Sequence, residues 1–139
     1  MLITKELLAK LHACPGQVAR FTEMWPTGAD LTPENVRKAL AADLSVKWLA
    51  RNAATPKETL LVLAADGDPN VRWGAASNAA TPKAALLALA ADGDPSVRRE
   101  AAWNAATPKE TLLVLAADGD PDVRREAAEN IKQKENSDA

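Results

Sequence analysis

Tyrosine is absent from this chain, and phenylalanine, histidine and cysteine occur once each. The single cysteine, Cys14, excludes an intrachain disulfide and any cysteine cluster for a metal. With only His12 beside it, there is no histidine-based ligand set and no nucleophile–base pair. A lone histidine or cysteine in a helical segment is structural far more often than catalytic, so the chain reads as a non-enzyme with no catalytic, metal or cofactor site. Positive charge is not in excess: 17 Lys and Arg against 19 Asp and Glu give a net charge of −2. That disfavours a general nucleic-acid binder, which needs a basic surface. No apolar run reaches the roughly 18 residues of a membrane span. The start, Met1-Leu2-Ile3-Thr4-Lys5, lacks the long apolar stretch and small-residue site of a signal peptide, so a cytoplasmic location is expected.

What is present is repetition. Residues 53–78, 79–104 and 105–130 are three copies of one 26-residue unit. Each opens Ala-Ala-Thr-Pro-Lys, passes through Leu-Ala-Ala-Asp-Gly-Asp-Pro and Val-Arg, and closes on Asn. Residues 32–52 are a degenerate first copy, with Thr32-Pro33-Glu34 at its start and Trp48 matched to Trp73. Residues 1–31 are not repeat-like. Leu7, Leu8 and Leu11, then Val18, Phe21, Met24 and Trp25, predict two short helices that cap the array. Residues 131–139 are polar and predict a disordered tail.

Within a unit the caps can be read directly. Thr55 is expected as N-cap, with Pro56 first in the helix and Glu58 completing a capping box. Leu60, Leu63 and Ala64 form its apolar face. Gly67 is expected to take the left-handed conformation that ends the helix, and Asp68-Pro69 to start the next. Val71, Ala75 and Ala76 are its buried side, and Asn78 its left-handed stop. Arg72, Arg98 and Arg124 are expected to pair with Asp68, Asp94 or Asp120. Capping accounts for the second Asp of each Asp-Gly-Asp-Pro loop, and the loops lack the ligand spacing and distal Glu of an EF-hand. Two short helices that cannot stand alone, stacked side by side, predict an all-α solenoid of helix pairs with an N-terminal helical cap.

Over residues 32–130 the register of Thr-Pro, Leu-x-x-Leu-Ala, Asp-Pro and Val-Arg resembles the leucine-rich repeat variant family, a HEAT-like group. The resemblance implies a right-handed superhelix of paired short helices. It supplies no catalytic residues. The iron–sulfur cluster that one member holds in a Cys-rich N-terminal segment does not carry over to a segment with Cys14 alone. HEAT-like relatives mostly bind proteins, and some grip nucleic acid.

The copies disagree at few positions. The first and third units differ at four of 26 residues, Asn70/Asp122, Trp73/Arg125, Gly74/Glu126 and Ser77/Glu129. These offsets fall on one face of the second helix. The middle unit varies there too, at Ser96, Arg99, Glu100 and Trp103. On its first helix Ala84, Ala85 and Ala88 replace Glu58, Thr59 and Val62. Copies this close fit either recent duplication or consensus-style engineering, and the unvaried core favours the second. A partner-binding face is expected at Trp48, Trp73, Gly74, Ser77, Ala84, Ala85, Ala88, Arg99 and Trp103, with the alanines and Gly74 opening a groove beside the tryptophans. The occupant would be a protein or a second copy in a homodimer. The alternatives are a nucleic-acid-binding HEAT-like module, or an idealised scaffold without a ligand.

Overall fold

The computed structural model describes residues 1–10, 13–42, 44 and 47–138, with backbone only for Lys47 and Trp48. Expectations resting on Leu11, His12, Asp43, Ser45, Val46 and the Trp48 side chain lie outside the described residues.

The described chain is all helical apart from two strands of two residues. Helices α1 (Lys5–Lys10) and α2 (Pro15–Met24) form the N-terminal pair. Thr4 caps α1, its Oγ1 accepting from the Leu7 amide at 3.2 Å. The strands were not foreseen: β1 (Leu2–Ile3) pairs antiparallel with β2 (Ala29–Asp30) and clasps both ends of the pair. Phe21 is buried and Trp25 half-buried against it, ring centres 5.2 Å apart, so both serve the core as expected.

Eight helices follow as four pairs: α3 (Pro33–Ala41) with α4 (Lys47–Arg51), α5 (Lys57–Ala64) with α6 (Pro69–Ser77), α7 (Lys83–Ala90) with α8 (Pro95–Trp103), and α9 (Lys109–Leu115) with α10 (Pro121–Ser137). The first members lie side by side in one row and the second members in another. Leu60, Leu63, Leu86, Leu89, Leu112 and Leu115 fill the space between the rows. The second row is the more closely packed. Beside Val71, Val97 and Val123 its buried residues include Gly74, Ala75, Ala76, Ala101, Ala102 and Ala127, small side chains that let the helices approach closely.

Several local expectations are corrected. Thr32 caps α3 through Asn35, but Thr55, Thr81 and Thr107 cap nothing. Each is buried and donates its hydroxyl six residues back, to Leu49, Ala75 and Ala101, at 2.6 Å. The N-caps are Pro56, Pro82 and Pro108, without side-chain cap bonds, so no capping box forms. Asp68, Asp94 and Asp120 do cap their helices. Gly67 is not left-handed; Gly28 alone among the described glycines has positive φ, at 94°. Asn78 is not left-handed either: it is extended, at φ −83° and ψ 121°.

Residues 131–137, expected as a disordered tail, are helix. Asn78 and Asn104 are followed by Ala-Ala-Thr-Pro, which cannot continue a helix. Asn130 is followed by Ile131-Lys132-Gln133-Lys134-Glu135, all acceptable in a helix, so α10 runs on. Lys134 Nζ anchors the added turns by donating to the Ala105 carbonyl at 2.7 Å.

Candidate functional site

Two ladders fix how neighbouring pairs stack, and they set the geometry of the surface above them. The first is built from asparagine. Asn104 is buried; its Nδ2 donates to the carbonyls of Ala76 at 2.7 Å and Asn78 at 2.9 Å, while its Oδ1 accepts from the Ala106 amide. Asn78 and Asn130 repeat the arrangement on Ala50/Asn52 and Ala102/Asn104. The second is ionic. Arg72 meets Asp92 at 2.7 Å and Arg98 meets Asp118 at 2.9 Å, each across to the next unit. The partner is therefore the first Asp of the next loop, not the capping Asp. That first Asp also accepts from the amide of the second, so both acids of a loop have structural work. The Arg98 guanidinium holds the Asp118 carboxyl below the usual range; for Asp92, burial pushes the carboxyl up, but the Arg72 bond, a backbone amide and the charges of Arg72 and Arg98 together bring it below. Arg72 and Arg98 are thereby committed to stacking rather than to a phosphate stripe. No group of three or more metal-ligating side chains converges among the described residues.

The outward face of the second row carries the variable positions. Trp73 is half-buried: the Arg51 guanidinium of α4 lies 4.4 Å over its ring, a cation–π contact, and its indole lies near enough to the Glu100 carboxylate of α8 to favour the charged form. Burial pushes the Glu100 carboxyl up, aided by Glu126; Arg99, Trp73 and Arg51 pull the other way. Glu126 of α10 is held by Arg99 at 3.8 Å and Arg125 at 3.2 Å. A chain of contacts thus crosses four helices, from Arg51 through Trp73 and Glu100 to Arg99, Glu126 and Arg125. Trp103 stands beside it, 57% exposed.

The structure divides the expected set. Trp73, Arg99 and Trp103 share this face. Gly74 is buried beneath it, and the Ser77 hydroxyl is turned back onto the Gly74 carbonyl at 2.9 Å. Ala84, Ala85 and Ala88 belong to α7 in the other row. Ala85 is buried there, and Ala84 and Ala88 face away from the side of α7 that packs on α8. They line no groove with Gly74. Equivalent threonine bonds to Leu49 and Ala75 also set Trp48 level with Gly74, not with Trp73. Arg51 was missed as a site residue. Its signal was its distance from Asn52, the same as that of Ser77 from Asn78 and Trp103 from Asn104.

No family model matches the chain, and searches of curated proteins and of solved structures return no significant match.

Proposed function

We propose that the chain is a non-enzymatic α-solenoid, of the leucine-rich repeat variant or HEAT-like kind, whose second-row face binds a protein partner. In this reading the pairs wind into a right-handed superhelix with the second row on its inner side. Closer packing of that row supports the inner assignment, because the shorter side of a curved stack is the side where helices crowd.

The observation that carries the binding reading is Trp103. It is a large indole left 57% exposed on the face where the copies differ. Beside it Arg51, Trp73, Glu100 and Glu126 are locked in place, so Trp103 and Arg99 stand on a rigid floor. Exposed tryptophan with arginine on a preorganised surface is the composition of an interface hot spot. The mixed signs of charge and the engagement of Arg51 and Arg125 within the chain favour a protein over nucleic acid.

A test is to pan a random peptide library on the intact chain and measure the selected peptides on the Arg99→Ala/Trp103→Ala variant. Loss of a hot spot worth about 2 kcal/mol predicts about 30-fold weaker binding. Peptides that bind the variant equally would place recognition elsewhere and remove this reading.

A further inference from the structure

The first row carries a second surface that the tryptophan face leaves unexplained. Beyond Lys83 its outward side is apolar through α7 and its C-cap: Ala84, Leu87, Ala88 and Ala91 are all exposed, Leu87 at 61%. Leu61 and Leu113 continue it on the helices either side, at 44% and 56%, and Val114 adds a further 73% exposed side chain. Three exposed leucines in register are more than scattered surface residues and mark an interaction surface.

We propose that this face binds a second copy of the chain, α7 against α7, antiparallel and centred on Leu87. The first reason is where the middle unit departs from its neighbours. Its first helix carries Ala84 and Ala88 where the flanking units have Glu58 and Val62, or Glu110 and Val114. An acid and a branched side chain are missing where two helices would come closest, which permits close approach and removes a buried charge. The second reason is charge. Lys83 stands at the start of α7 and has no ionic partner among the described residues; past its end comes Asp94, which makes no salt bridge among them either, whereas Asp92 is already paired with Arg72. An antiparallel copy turns each Lys83 toward the loop that carries the other copy's Asp94, and the two-fold makes the contact twice. A parallel arrangement would set Lys83 against Lys83. Opposed helix dipoles favour the same orientation.

The experiment reads mass and cross-linking. By light scattering at about 100 µM, a concentration at which a micromolar dimer is mostly assembled, the intact chain is expected at twice its monomer mass. Leu87→Glu should be monomeric, or at least 30-fold weaker, with an unchanged helical signal because the replaced side chain is exposed. Lys83→Asp should weaken the dimer and Trp103→Ala should leave it intact. In a Cys14→Ser background, Leu87→Cys should oxidise to a covalent dimer and Trp103→Cys should not. A monomeric intact chain overturns the proposal. So does a dimer that survives Leu87→Glu but is lost in Trp103→Ala, which would assign self-association to the second-row face. Peptide binding at Trp103 is measured separately, so failure here leaves that reading standing.

Discussion

Asn104 makes three hydrogen bonds from a buried position, and each serves a different piece of chain: the end of α6, the residue closing its unit, and the turn that follows. No hydrophobic residue of the same size can replace it, since two carbonyls would lose their donor. Asn104→Ala should cost about 2–4 kcal/mol in urea unfolding, far more than an exposed substitution on the same helix. A loss below 1 kcal/mol would mean that water substitutes for the amide. Glu100 is the opposite case, a half-buried carboxylate whose charge is disfavoured by its partial burial. Its folded-state pKa is raised, so the folded protein binds the proton more tightly than the unfolded one. The charged form therefore destabilises the fold above the folded pKa, and the penalty disappears as pH falls through it toward the unfolded value. Glu100→Gln keeps an acceptor beside the Trp73 indole and removes the charge. The variant should melt above the parent at pH 7, with the gap closing as pH falls toward 4; a gap that is constant with pH would show that the carboxylate is not the cause.

At the scale of elements, the start signals were legible only where nothing competed for them. Asp68, Asp94 and Asp120 cap their helices as their spacing dictates, each carboxylate accepting from an amide at the start of the helix. Thr32 and Thr55 both precede proline, yet only Thr32 caps. Thr55 is buried against the preceding helix, whose Leu49 carbonyl accepts a hydrogen bond from its hydroxyl, a contact between the end of one pair and the start of the next. The asparagines mislead for the same reason: residue-by-residue reading sees a helix stop, while the stacked array uses the side chain as a bridge. A helical wheel turns Trp73 outward, because it knows nothing of Arg51 on the neighbouring helix. The turn glycines separate along similar lines. Gly28 has φ +94° and a Cβ there would lie 2.7 Å from the Ile3 carbonyl oxygen. Gly93 is not left-handed and a Cβ would meet nothing within 4 Å. Gly28→Ala should therefore destabilise by about 1–3 kcal/mol, whereas Gly93→Ala should stabilise by about 0.4–1 kcal/mol by restricting the unfolded chain. Thermal melts of the two single variants test this; equal effects would contradict the backbone assignment.

Across the whole molecule, stability is carried by contacts between neighbouring pairs more than within any pair, since single helices of seven to nine residues such as α5 to α9 do not persist in water. Each junction between full units repeats the same set: the asparagine bridge, the Arg–Asp pair, and alanine against alanine in the second row. An extra copy of residues 79–104 placed after Asn104 therefore adds one complete junction and changes no other. Placement inside the array matters. At the far end the carbonyls of Ala128 and Asn130, which would receive the next asparagine, lie within the continuous helix α10. An internal copy meets an Asn78-type end before it and a Thr-Pro start after it. The lengthened chain should melt at a higher temperature, and its urea m-value should rise in proportion to the surface added, as expected if the new unit unfolds together with the others. An unchanged m-value with a second, separate transition would mean that the units do not share one cooperative array, and would remove the solenoid reading on which the second-row interface rests.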